Sequence, residues 1–113
     1  MTDVIQVATT IDTEEGARQI AQSLVSGRLA ACVHIIGPIS STYWWRGNME
    51  TAQEWTCVAK TRKDLYEDVE KAIRAIHPYE VPDIVATPVL TGSATYLEWI
   101  VNETVKHTKA SDI

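Results

Sequence analysis

Phenylalanine is missing from this 113-residue chain, and cysteine and methionine occur only twice each. The two cysteines, Cys32 and Cys57, cannot form the disulfide framework that staples small secreted domains. Positive charge is also short: ten Lys and Arg against fifteen Asp and Glu leave a net charge of -5. Such a surface repels phosphate, so nucleic acid is not an expected partner. Neither a basic block nor a basic amphipathic stretch marks a membrane-binding face. The longest apolar run, Leu29 to Ile36, is broken by Gly37-Pro38 and falls far short of the roughly 20 residues that span a bilayer. The first residues, Met1-Thr2-Asp3-Val4, carry no positive n-region and no apolar h-region. The expectation is therefore a chain without a secretory leader that works in the cytoplasm. Walker loop, dinucleotide fingerprint, internal repeat and linker are all missing.

What is present is the composition of a globular protein, 45% hydrophobic and 22% charged, at a length that suits a single domain over residues 1–113. Val4 to Ile11 alternates as a strand. Asp12-Thr13-Glu14-Glu15 has the spacing of a helix start, with Asp12 three residues before Glu15. The stripe Ala17, Ile20, Ala21, Leu24, Val25 follows, and Gly27 is expected to supply a left-handed stop. Leu29 to Ile36 reads as a second strand that Gly37-Pro38 bends rather than ends. Tyr43-Trp44-Trp45-Arg46, a turn at Gly47-Asn48 and a return through Met49 to Thr61 make a β-hairpin longer than so small a domain needs. Thr61-Arg62-Lys63-Asp64 is expected to cap a second helix striped by Leu65, Val69, Ala72, Ile73 and Ile76. Pro78 ends that helix at His77. The strand Ile84 to Leu90 carries Pro88 and so belongs at a sheet edge. Gly92-Ser93 opens a last helix, and His107 to Ile113 reads as a polar tail.

This order is the split βαβ pattern of an α+β, ferredoxin-like βαββαβ sandwich, with an extended hairpin and an extra C-terminal helix. Helices cover one face of such a sheet. Yet both alternations along the strands are apolar, as in Cys32 and Ile36 against Ala31, Val33 and Ile35, or Val85 and Val89 against Ile84, Ala86 and Leu90. A face left open with such residues calls for association with further copies, and the Trp-rich hairpin offers an edge for pairing.

Several stretches in order then resemble the CutA divalent-cation tolerance family: Arg28-Leu29-Ala30-Ala31-Cys32-Val33, Tyr43-Trp44-Trp45-Arg46-Gly47, Lys60-Thr61, His77-Pro78-Tyr79-Glu80-Val81-Pro82-Asp83-Ile84, Gly92-Ser93 and Tyr96-Leu97-Glu98-Trp99. The resemblance implies a PII-like homotrimer, its sheets facing inward and its hairpins pairing between subunits. It implies a role in tolerance to divalent metals, copper especially. Family members considered copper binders can carry a cysteine in the first strand and a second histidine just before the His-Pro-Tyr turn. Ala8 and Ile76 stand at those positions here.

Candidate metal ligands are His77 and Glu80, which a non-helical turn can aim at one cleft, and Cys32 and His34, which share a strand face at i, i+2. The competing readings are a polar turn packed on a neighbouring subunit and a core thiol beside an interface histidine. A Cys32–Cys57 disulfide is not expected, because folding about Gly47-Asn48 sets Cys32 near Lys63. Cys32, His77 and Glu80 supply residue types for nucleophilic catalysis, but no motif brings them together, so an enzyme is not expected. A PII-like protein can instead sense a small anionic ligand, for which Lys60, Arg62, Lys63 and Arg46 are candidates. Trp44, Trp45 and Trp55 could line a ligand cleft or pack an interface. The leading expectation is a cytoplasmic homotrimer in metal-ion response, with weak binding of copper or another divalent cation. The alternatives are the anion sensor and a structural or partner-binding trimer.

Overall fold

The computed structural model describes residues 3–105, so the polar tail expected from His107 onward lies outside the described residues. Element order is β1 (Val4–Ile11), α1 (Glu14–Ser26), β2 (Cys32–Trp45), β3 (Asn48–Arg62), a 3-10 turn (Lys63–Leu65), α2 (Tyr66–Ile76), β4 (Ile84–Pro88) and α3 (Ala94–Glu103). The strands form one antiparallel sheet in the order β2-β3-β1-β4. This is the ferredoxin-like α+β arrangement, with the expected long hairpin and additional helix.

Alternation along β1 sends Ile5, Val7 and Ile11 into one core with Cys57 and Ala59 of β3. Ala17, Ile20 and Leu24 of α1 and Val69 and Ile73 of α2 close that core from the helix side. Each of the larger side chains, once fully buried, contributes about 1.5–3 kcal/mol relative to leaving it in water. β4 is an edge strand, as Pro88 requires, but it stops at Pro88 and leaves Leu90 fully exposed.

Both ends of α1 differ from the sequence expectation. Thr13, not Asp12, is the cap, its Oγ1 accepting from the Gly16 N–H at 3.0 Å. Gly27 has φ -81°, and the left-handed residue is Arg28 at φ 61°. The Leu29 N–H donates to Leu24 and the Arg28 N–H to Val25, the pairing of a Schellman motif with arginine where glycine is usual. Arg28 is held there from outside: its guanidinium meets the Glu103 carboxylate at 3.0 Å, and its carbonyl accepts from the Val105 N–H at 2.7 Å. Strain at the end of the first helix thus anchors the end of the last. Leu65, which precedes α2, makes no side-chain cap hydrogen bond, and a 3-10 turn leads into the helix.

The hairpin turns on Arg46 and Gly47, at φ 51° and 82°, which is type I′ geometry. That moves the turn one residue earlier than Gly47-Asn48. A register shift between Ile36 and Ile39 takes up a further residue at Gly37-Pro38, where the peptide is cis and the strand continues. A Cβ at Gly37 would meet the Trp55 indole at 2.4 Å, so only glycine passes there. Together these place Cys32 opposite Lys60 rather than near Lys63, and Cys57 opposite Ile35. Both thiols are free.

The second face of the sheet is partly covered. The Lys60 ammonium lies 5.3 Å from the centre of the Tyr96 ring, which brings α3 onto this side, and Ile100 and Thr104 are buried. Ile36 and Val85 on the same face stay about half exposed. The apolar remainder of that face is therefore real, though smaller than a sheet covered by two helices alone would leave.

Thr9 sits in the core layer between Cys57 and Ile84, and its Oγ1 has no hydrogen-bond partner among the described residues. A buried hydroxyl without a partner costs about 1–3 kcal/mol. Thr9→Val, which keeps the shape, should raise the unfolding free energy by about 1 kcal/mol in urea titrations. A lower value would mean that the hydroxyl is satisfied.

Candidate functional site

β1 ends at Ile11, paired with Trp55, while β2 and β3 run on together to the hairpin tip. Beside β3 the lane that β1 vacates is filled by the turn after α2. Pro78 stops the helix, and His77 leaves it in extended geometry at ψ 128°. His77 is buried, and its Nε2 donates to the Thr10 carbonyl at 2.7 Å near the end of β1. Its Nδ1 accepts from the Tyr79 N–H at 3.3 Å. Both partners demand the neutral ring with its proton on Nε2.

Tyr79 packs its ring edge-on against His77, centroids 4.5 Å apart, and donates its hydroxyl to Glu54 Oε2 at 2.6 Å. Glu54 is the first residue of β3 beyond the reach of β1, and it is only 4% exposed. Burial, then the hydrogen bond and charge of Glu54, push the Tyr79 phenol above its ordinary value, so it stays a donor. Glu54 was not among the residues singled out from the sequence. It lies on the polar side of a strand, and a turn 25 residues downstream buries it, which no local pattern announces.

Over this base opens a cavity of about 660 Å³, walled by Tyr43, Trp44 and Trp45 of the hairpin, with Glu80, Val81 and Asp83 on the other side. Arg46 reaches across from the tip to Glu80 at 2.8 Å and lies 5.2 Å from the centre of the Trp45 ring. That ion pair is exposed on both sides, so it contributes little, about 0–1 kcal/mol.

The four candidate ligands fall into two places. His77 and Glu80 are in this turn, yet both His77 nitrogens are engaged and Glu80 holds Arg46. Cys32 and His34 lie on the second sheet face, opposite Lys60 and Val58. Thr10, which His77 contacts, is opposite Thr56, four residues along β3 from Lys60 and so about 13 Å away. No group of three or more His, Cys, Asp or Glu side chains among the described residues could hold a metal ion within one subunit. Cys57 is buried, its thiol pushed up to about 11 by burial and donating to the Ala17 carbonyl. The basic candidates do not converge either. Arg62 is buried against Asp64, Lys60 lies over Tyr96, and Arg46 holds Glu80.

Tyr79→Phe would leave a nearly buried carboxylate without its donor and should lower stability by about 1–3 kcal/mol in thermal or urea unfolding. The pH dependence follows from the sign. A phenol raised in the folded state is protonated in both states below its ordinary value of 10.0, and there its contribution is complete. The contribution is lost as pH rises through the folded value, because the unfolded chain releases the proton first. The wild type should therefore lose stability more steeply above pH 10.0 than Tyr79→Phe does; parallel curves would place the raised phenol elsewhere.

Comparison with known proteins places this architecture. The profile of the family described as CutA1 divalent ion tolerance protein matches residues 5–103. The chain is similar to "Protein CutA 1, chloroplastic" of Oryza sativa subsp. japonica, 39% identical over 100 residues, which is 88% of this chain and 56% of the relative. It thus spans little more than half the length of that plant protein. It is 42% identical over 94 residues to the "Divalent-cation tolerance protein CutA" of Thermus thermophilus, covering 83% of this chain and 91% of the relative. The crystal structure of CutA1 from Oryza sativa superposes with a TM-score of 0.90 at 37% identity, over 93% of this chain and 96% of that one. Strand order, hairpin and the match over nearly all described residues agree, and the chain belongs to the CutA1 divalent ion tolerance protein family.

Proposed function

We propose that this chain, folded as one domain, acts in divalent-cation tolerance as a homotrimer that binds copper or another divalent cation weakly. The observation that carries the reading is the placement of candidate donors. Within one subunit no sufficient ligand set forms among the described residues, while Cys32 and His34 stand on the incompletely covered sheet face. Copies associating through that face would bring such pairs toward one another, and copper or zinc sites require three or four donors. His77 and Glu80 would join a site only by giving up their bonds to Thr10, Tyr79 and Arg46. Exposed Ile36, Val85 and Trp44 support association through the sheet face and the hairpin. Free thiols suit the cytoplasm as the working compartment. Among the described residues, no helix is long and apolar enough to cross a membrane. No reaction forms part of this reading.

Isothermal titration with copper(II) and zinc chlorides, paired with sedimentation, tests it. The wild type should sediment as a trimer and give a saturable heat that the Cys32→Ala/His34→Ala variant loses and His77→Ala keeps. A well-behaved single subunit at low concentration would remove the assembly and the site with it. A heat lost only in His77→Ala would move the donors to the turn.

A further inference from the structure

The cavity at the root of the hairpin has a chemistry that neither family name nor the divalent-cation reading uses. Its base is the Glu54 carboxylate, 4% exposed, whose one hydrogen-bond partner among the described residues is the Tyr79 hydroxyl. No lysine, arginine or histidine among the described residues forms an ion pair with it. A carboxylate taken out of water is costly unless a cation or several donors meet it. Here one neutral donor meets it, and the remaining approach is from the cavity.

The walls agree with the base. Tyr43, Trp44 and Trp45 present aromatic surface and Asp83 adds negative charge, while the Glu80 carboxylate at the rim is held by Arg46 and none of the lining residues is basic. The Trp45 ring already carries one cation, the Arg46 guanidinium at 5.2 Å. Aromatic faces around a carboxylate favour an organic ammonium group, by attraction to the ring quadrupole and to the charge together. The same lining disfavours an anion. It also lacks the converging donors that a transition metal requires. A volume of about 660 Å³ falls in the range of small-molecule sites rather than of a single ion.

The geometry points to this cavity as a binding site for a small organic cation, a primary amine attached to an apolar or aromatic body, with Glu54 as its counter-ion and Trp45 and Tyr43 as its walls. Tyr79 is a positioning residue: it holds Oε2 of Glu54 and leaves the rest of the carboxylate to the ligand. His77 fixes Tyr79 in turn through the Tyr79 N–H. This site shares neither Cys32 nor His34 with the proposed metal site, and only Trp44 of its walls with the proposed association surface.

Three probes of one skeleton and different charge test the inference on the full chain: 2-phenylethylamine, 2-phenylethanol and phenylacetate, followed by tryptophan fluorescence and thermal shift. The amine should give a saturable change and raise the melting temperature, the alcohol should bind about tenfold more weakly or not at all, and phenylacetate should do nothing. Glu54→Gln should weaken the amine at least about tenfold, with little effect on the alcohol. If Glu54→Gln does not fold, Trp45→Leu carries the test with the same expected loss for the amine. The Cys32→Ala/His34→Ala variant should bind the amine as the wild type does, which separates this site from any metal site. Equal binding of the three probes, preference for phenylacetate, no saturable response to the amine, or undiminished amine binding in the Glu54→Gln and Trp45→Leu variants would overturn it.

Discussion

The unequal lengths over which β3 pairs with its two neighbours govern the rest of the molecule. On one side it follows β2 from Asn48 onward, while on the other it follows β1 only from Trp55 to Arg62. Past Glu54 the sheet is two strands wide, which marks where the packed domain gives way to a projecting arm. The radius of gyration, 15.1 Å against roughly 13 Å for a compact chain of this length, records that arm. A two-stranded ribbon has little core of its own, so its apolar rings need something to lie against. The turn from His77 to Asp83 supplies part of that support, and the space left between turn and ribbon is the cavity.

At the base of the cavity the polar groups form a chain: Thr10 carbonyl, His77 ring, Tyr79 backbone and hydroxyl, Glu54 carboxylate. In a low-dielectric interior such a chain rigidifies when its members are satisfied, and breaking one member is expensive. The mouth is built differently. Its ion pair between Arg46 and Glu80 is largely in water and worth little, so access there is limited by side chains that move at small cost. A firm base under a loose rim suits a site that admits a ligand and then orients it. The same bonds engage both His77 nitrogens, which a metal would have to displace in an isolated subunit.

The opposite end of the sheet has its own tie. Arg28, left-handed at the end of α1, reaches Glu103 and accepts from Val105, so α3 is fastened to the first helix while it lies across the second face. That fastening covers only part of the face. Ile36, Val85 and the hairpin rings remain outside it, and a sheet with apolar residues on both sides is then left with a surface that water penalises.

Periodicity together with the prolines determined the element order, the ferredoxin-like class, the edge position of the Pro88 strand and the break after α2, because each follows from neighbours within a few residues. The same is true of the long hairpin and of the apolar character of both sheet faces. Tertiary structure decided the turn at Arg46-Gly47, the register that sets Cys32 against Lys60, the left-handed Arg28 in place of Gly27, and the half-cover that α3 provides. The candidate site divides in the same way. Its turn was visible as a cluster of His77, Tyr79 and Glu80 between prolines, whereas Glu54 became part of it only because strands of unequal length leave a lane that a distant turn fills. Burial of a charged side chain by residues far along the chain has no local signature, since the pairing that produces it is set by the whole sheet.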